Sequence, residues 1–107
     1  MHTLIIEGTM KPGKKAEFNT AWRNEILPAL KKQNGFVDEI LLSETANPNR
    51  GVGLSFWKTG EDAARYQRDV FPRLVSSVQN LMDGQPTVRS FDVEAAETFR
   101  VAAGKAA

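Results

Sequence analysis

The sequence predicts an α+β domain in the order strand, helix, strand, strand, helix, strand, with two helices against a four-stranded antiparallel sheet. Three observations carry that prediction. Apolar and polar residues alternate in four short stretches, apolar residues recur at helical spacing in two longer ones, and turn formers separate the six. A chain of 107 residues fits one domain.

The first strand is expected over residues 3–10, which are rich in β-branched and apolar side chains and stop at Lys11-Pro12-Gly13. Alternation puts Leu4, Ile6, Gly8 and Met10 on one face and Ile5, Glu7 and Thr9 on the other. The period then changes: Phe18, Ala21, Trp22, Ile26, Ala29 and Leu30 form a helical stripe opposite Lys15, Arg23 and Lys31. Pro28 lies inside this helix, where it removes a donor and clashes with the carbonyl of Asn24, so a kink is expected near the end. Asn34-Gly35 closes it.

Residues 36–45 alternate again, with Ile40 and Leu42 on one face and Val37, Glu39, Leu41 and Ser43 on the other. The turn formers of residues 46–51 then lead into a third strand over residues 52–57, making a hairpin. Thr59 is placed to cap the second helix, with Glu61 and Asp62 at the positive end of its dipole. Ala63, Val70, Leu74, Val78 and Leu81 form its inner stripe, and Pro72 predicts either a bend or two helical pieces. Asp83-Gly84-Gln85-Pro86 is the exit turn and residues 87–93 the fourth strand. The domain is thus expected over residues 1–93, with an alanine-rich tail, residues 94–107, partly flexible or docked on a partner subunit.

This order is the split βαβ, ferredoxin-like arrangement, and right-handed crossovers give the spatial strand order 4-1-3-2 with both helices on one face. The opposite face, expected to carry Ile5, Leu41, Trp57, Phe91 and Val93, exposes more apolar surface than a monomer usually tolerates. A two-fold homodimer packed through the sheet faces follows.

Composition excludes several function classes. With 14 basic and 13 acidic residues interspersed, the net charge of +1 gives no basis for binding nucleic acid or an anionic membrane, and Lys14-Lys15 and Lys31-Lys32 read as solvated helix faces. Cysteine is absent, which removes disulfides, thiolate metal sites and cysteine nucleophiles. His2 is the sole histidine, read as an incidental exposed residue, so no histidine-based triad, facial-triad iron site or proximal haem ligand can be assembled within one chain. No stretch reads as a signal peptide or bilayer span, and a cytoplasmic location is expected. No metal and no cofactor are expected.

The segments Leu4-Ile5-Ile6 before Lys11-Pro12-Gly13, then Gly35-Phe36, then Phe56-Trp57-Lys58-Thr59-Gly60-Glu61-Asp62-Ala63 resemble the antibiotic biosynthesis monooxygenase superfamily over roughly residues 3–93. That resemblance implies a dimeric α+β barrel in which each subunit keeps a cleft between sheet and helices. The superfamily includes haem-degrading enzymes and cofactor-independent oxygenases of aromatic polyketides and quinol-like compounds. The haem-degrading pattern is missing: no asparagine stands near Ile6, the helix-two aromatic position falls at Arg65-Tyr66, and the histidine position falls near Val75.

In the cofactor-independent branch, the resemblance implies a tryptophan at the end of strand three, matched by Trp57; the position four residues earlier, often asparagine, is Gly53. The substrate-binding candidates are Trp57, Tyr66, Asn19, Arg89 and Glu7; the catalytic residue is unassigned. Trp57 also reads as packing, and Trp22 as core. Glu7 and Arg89, on adjacent strands, are expected to form a cross-strand ion pair, with Glu39 and Ser55 projecting into the same polar patch. Two functions stay open: a monooxygenase acting on a small aromatic or quinone-like ligand, or a non-catalytic ligand-binding or structural homodimer. An open apolar cavity with Tyr66, Trp57 or Asn19 converging on it favours the first; a cleft filled by Trp22, Phe71 and Leu74 favours the second.

Overall fold

The structure, a computed structural model, describes residues 1–97; the expected tail beyond residue 97 lies outside the described residues. Strands β1 (His2–Thr9), β2 (Phe36–Ser43), β3 (Arg50–Trp57) and β4 (Thr87–Asp92) form one antiparallel sheet in the order β2-β3-β1-β4. This is the predicted ferredoxin-like topology. The hydrophobic core joins Leu4 and Trp57 of the sheet to Leu30 of the first helical run and to Ala63, Tyr66 and Leu74 of the second. Both runs therefore cover the same face.

The first run consists of α1 (Lys15–Ala21), a π-helical turn (Trp22–Ile26) and α2 (Leu27–Lys31). Pro28 explains the change of pitch. It has no amide proton and its ring crowds the carbonyl one turn back, so the helix widens before it and the Leu27 amide bonds the Trp22 carbonyl. The expected kink is thus a π turn that carries Trp22 and Ile26 at its two ends.

Thr59 caps α3 (Gly60–Asp69) as predicted: its hydroxyl accepts from the Asp62 amide at 3.1 Å and donates to the Asp62 carboxylate at 3.0 Å. At Val70 the run breaks, and α4 (Phe71–Val78) restarts with Pro72 in its first turn, where a missing donor costs nothing. A second, smaller core of Met10, Val78, Leu81 and Met82 closes the far end of the domain.

Register decides which strand residues meet the helices. Leu4 pairs with Ser55, Ile6 with Gly53 and Gly8 with Gly51 across β1 and β3, while Glu39 pairs with Ser55 and Leu41 with Gly53 across β2 and β3. All of these face the helices, and so does Trp57, paired with His2 and Phe36. This corrects the expected outer face: Leu41 and Trp57 point inward, whereas Ile5, Val52, Leu54, Phe56, Ile40, Leu42 and Phe91 point outward. Ile40, Leu42 and Phe91 are left more than 40% exposed. A bulge between Phe36 and Asp38 resets the alternation at the start of β2 and buries Val37.

His2 is also not the exposed residue expected. Its ring is largely covered and lies 3.0 Å from the Asp92 carboxylate across the β1–β4 edge.

Gly35 holds the entry to β2 with φ +81°, and its carbonyl accepts from the Lys58 amide at 2.8 Å. A Cβ there would collide with the Asp62 side chain, which accepts from the capping Thr59 hydroxyl. Gly35→Ala is expected to destabilise the domain by about 1–3 kcal/mol through both the left-handed backbone and the lost cap; urea unfolding of the two proteins checks it, and unchanged midpoints would show that the cap relaxes freely.

Candidate active site

The helix-facing side of the sheet has no side chains at Gly8 of β1 and at Gly51 and Gly53 of β3. Over this bare patch lies a cavity of about 90 Å³. Ile6 and Leu41 complete its floor, Trp22, Ile26 and Leu30 form one wall, and Tyr66, Phe71 and Leu74 form the other. Trp22 is thus a wall of the cavity rather than core, and Trp22, Phe71 and Leu74 line the space without filling it. A Cβ on Gly51 would meet only the Leu42 carbonyl, at 3.6 Å, whereas one on Gly8 would collide with the Met82 methyl and one on Gly53 would press on Glu39, so these two glycines make room for those side chains.

Tyr66 is reached through the core. Its ring stacks on Trp57, with centroids 5.0 Å apart and planes 29° from parallel, and is tilted against Phe71 at 6.1 Å. Trp57 is wholly buried: Phe36 meets its ring edge-on at 5.7 Å, and its indole Nε1 donates to Ser55 Oγ at 2.8 Å. Trp57 therefore stands behind Tyr66 and positions it, without lining the cavity itself. The Tyr66 hydroxyl has no hydrogen-bond partner among the described residues. Burial, with the Glu39 charge nearby, drives its pKa well above the ordinary phenol value, so it remains a donor.

Glu39, not among the site residues expected from sequence, enters the same space from edge strand β2. Its Oε1 lies 3.2 Å from where a Cβ on Gly53 would stand, so the glycine admits the carboxyl. The Glu39 amide donates to Asp38 Oδ1 at 2.9 Å, but the Glu39 carboxyl has no hydrogen-bond or ion-pair partner among the described residues. Burial first, and the neighbouring Asp38 charge second, push its pKa from 4.5 up to about 8. Glu39 and Ser55 thus do not join Glu7 and Arg89: Ser55 is buried beneath Trp57, and both face the helices.

The other sequence candidates lie elsewhere. Asn19 lines an adjoining hollow of about 180 Å³ with Lys15, Ser43 and Asn49; it shares Met10, Phe18, Leu41 and Gly51 with the main cavity. Glu7 and Arg89 do form the expected pair, at 2.6 Å, but on the outer face of the sheet, where Glu7 also takes Arg50 at 3.0 Å. Neither reaches the cavity. Among the described residues no cluster of three or more histidine, aspartate or glutamate side chains is arranged to hold a metal ion.

A family model for antibiotic biosynthesis monooxygenases matches residues 1–70. The chain belongs to the antibiotic biosynthesis monooxygenase family. Solved structures share its fold at low identity. The cofactor-independent oxygenase SnoaB from Streptomyces nogalater is 19% identical, with a TM-score of 0.75 over 91% of this chain and 96% of that one. A conserved protein from Methanosarcina mazei is 21% identical, with a TM-score of 0.70 over 84% and 89%. A candidate antibiotic biosynthesis monooxygenase from Deinococcus radiodurans reaches 0.76 over 92% and 98% with only 9% identity. Among curated proteins none matches significantly. Within this monooxygenase fold, the combination of a glycine floor, a stacked tyrosine and an unpartnered carboxyl describes the cavity of this chain.

Between pH 4.5 and about 8 the folded protein holds a proton on Glu39 that the unfolded chain has released. The native state then binds more protons, and stability falls as pH rises through that window. Glu39→Gln is expected to remove this part of the decline, at most about 1.4 kcal/mol per pH unit, and to be the more stable protein above pH 8. Urea unfolding across the window checks this; parallel curves would show a carboxyl that titrates normally.

Proposed function

We propose that the protein is a cofactor-independent monooxygenase acting on a small aromatic or quinone-like compound in the cavity between sheet and helices, and that it works as a cytoplasmic homodimer. The observation that carries the reading is the apolar hollow over Gly8, Gly51 and Gly53, into which Tyr66 and Glu39 bring the ionisable groups. An electron-rich aromatic that has lost a proton can reduce dioxygen itself. The protein then has to bury the anion, orient it and donate to its oxygen. For a ring methylene becoming a carbonyl, one oxygen atom stays on carbon and the other leaves as water, and the substrate supplies all the electrons.

The Tyr66 hydroxyl is the donor available to that anion, and its raised pKa keeps it protonated beside the carboxyl. Trp22 and Phe71 bring aromatic rings to the cavity lining, where a planar ligand can pack against them. The main cavity is smaller than pockets for drug-sized ligands, roughly 300–1,000 Å³, so a ligand of more than one ring extends past Met10 and Phe18 towards Asn19. Support for the homodimer comes from the outer sheet face, where Ile40, Leu42 and Phe91 are exposed beside Ile5, Val52, Leu54 and Phe56 around the Glu7–Arg50–Arg89 ion pairs. No helix among the described residues is long and apolar enough to cross a membrane.

Oxygen uptake by the purified protein over a panel of anthrones and hydroquinones, without added metal or flavin, tests the activity. Uptake is expected, with kcat/KM lowered about tenfold or more in Tyr66→Phe; no uptake above buffer across the panel would instead favour a ligand-binding homodimer. Light scattering is expected to give twice the chain's mass, and Leu42→Glu to lower it towards the monomer by placing a charge in the apolar face. A monomeric wild-type protein would remove the dimer.

A further inference from the structure

Glu39 is the group in the cavity that no structural role explains. Glu39 is half-buried, and a carboxyl partly withdrawn from water into apolar surroundings ordinarily has a cation or several donors around it, because leaving it unpartnered costs free energy. Here the carboxyl lines an apolar cavity, Gly53 is bare where a side chain would exclude it, and the ring opposite belongs to Tyr66. The two arginines of the strands, Arg50 and Arg89, pair with Glu7 on the other face. The fold therefore keeps a carboxyl at a cost to stability, in the one place where a bound ring would meet it.

We propose that Glu39 is the proton acceptor of this site, removing a proton from the acidic C–H or O–H of an aromatic ketone or phenol whose oxygen accepts a hydrogen bond from Tyr66. This rests on the cavity reading of the preceding section and deepens it by naming the group that generates the reactive anion. The step balances within the pair: the substrate C–H bond breaks, its electron pair stays on the substrate and is delocalised onto the ring carbonyl oxygen, and the proton forms an O–H bond to Glu39. With dioxygen absent the step runs backwards, and the carbon regains a proton that has exchanged with solvent. A base poised near neutral pH suits this task.

The groups facing Glu39 set its pH response. Asp38 stands beside it on β2 and Tyr66 faces it from α3, and both oppose its ionisation or titrate well above it. The neighbouring strand β3 presents Gly53 and Ser55, and the π turn presents Trp22 and Ile26; none of these titrates. The rate of proton abstraction is thus expected to rise with pH to a plateau above about 8.

Anaerobic exchange of the methylene protons of anthrone in deuterated buffer, followed by proton NMR, tests the proposal apart from oxygen chemistry. The wild-type protein is expected to accelerate exchange over buffer, and Glu39→Gln to lose the acceleration by about 100-fold or more while still binding anthrone, as read from quenching of intrinsic tryptophan fluorescence in both proteins. Wild-type protein that does not accelerate exchange overturns the proposal, and so does a Glu39→Gln protein with the wild-type rate and pH profile. Should Glu39→Gln fail to fold, Glu39→Asp decides: slower exchange with a displaced pH midpoint supports the proposal, and an unchanged rate and midpoint overturns it. Oxygen uptake on the same samples separates the two readings. Exchange without uptake keeps Glu39 and removes the oxygenase; uptake that survives in Glu39→Gln keeps the oxygenase and removes Glu39.

Discussion

Trp57 and Tyr66 meet face to face at 5.0 Å, and the placement of the helical layer over the sheet follows from that contact. Trp57 ends β3 and is fixed from below by its bond to Ser55 and from the side by Phe36. Tyr66 lies in the middle of α3, whose start is fixed two residues after Trp57 by the Thr59 cap. A strand end, a cap and a helix are therefore locked through one pair of rings, which contributes about 1 kcal/mol beyond the area it buries. The rest of the cavity depends on this spacing, because Phe71 and Leu74 hang from α4, which restarts one residue after α3 ends.

Beneath that contact the sheet is thin. Gly8, Gly51 and Gly53 remove three side chains from the inner face, and the π turn at Trp22–Ile26 widens the opposite wall. On the outer face β1 and β3 present Ile5, Val52, Leu54 and Phe56 instead. A monomer gains little from these residues; a second sheet packed on them would recover the burial that the cavity forgoes. The hollow inside and the apolar surface outside are two consequences of one pattern along β3.

That pattern also explains what was legible in the sequence. The strands, helices, cap and proline breaks follow from short-range signals and were readable, as were the Glu7–Arg89 pair and Tyr66 at the cleft. The inner face of β3 was not, because alternation assigns the apolar residues to the core, and here Val52, Leu54 and Phe56 face outward while glycines and a serine face in. Leu41 and Trp57 were misplaced for the same reason. Glu39 was expected in a polar patch with Ser55, Glu7 and Arg89, because alternation does not say which face of β2 meets which face of β1; only the pairing of β2 with β3 brings it beside Gly53 on the helix side.

The sequence by itself determined the element order, the topology, the family resemblance and the absence of cysteine, because these depend on residue type and local spacing. The tertiary structure decided which face of each strand is inside, that Trp22 and Tyr66 border an open space, and that Glu39 rather than Arg89 or Glu7 shares it. Those outcomes turn on register between strands distant in sequence. A shift of one residue exchanges the faces of a strand, and no local signal fixes it when glycines occupy the side that meets the core.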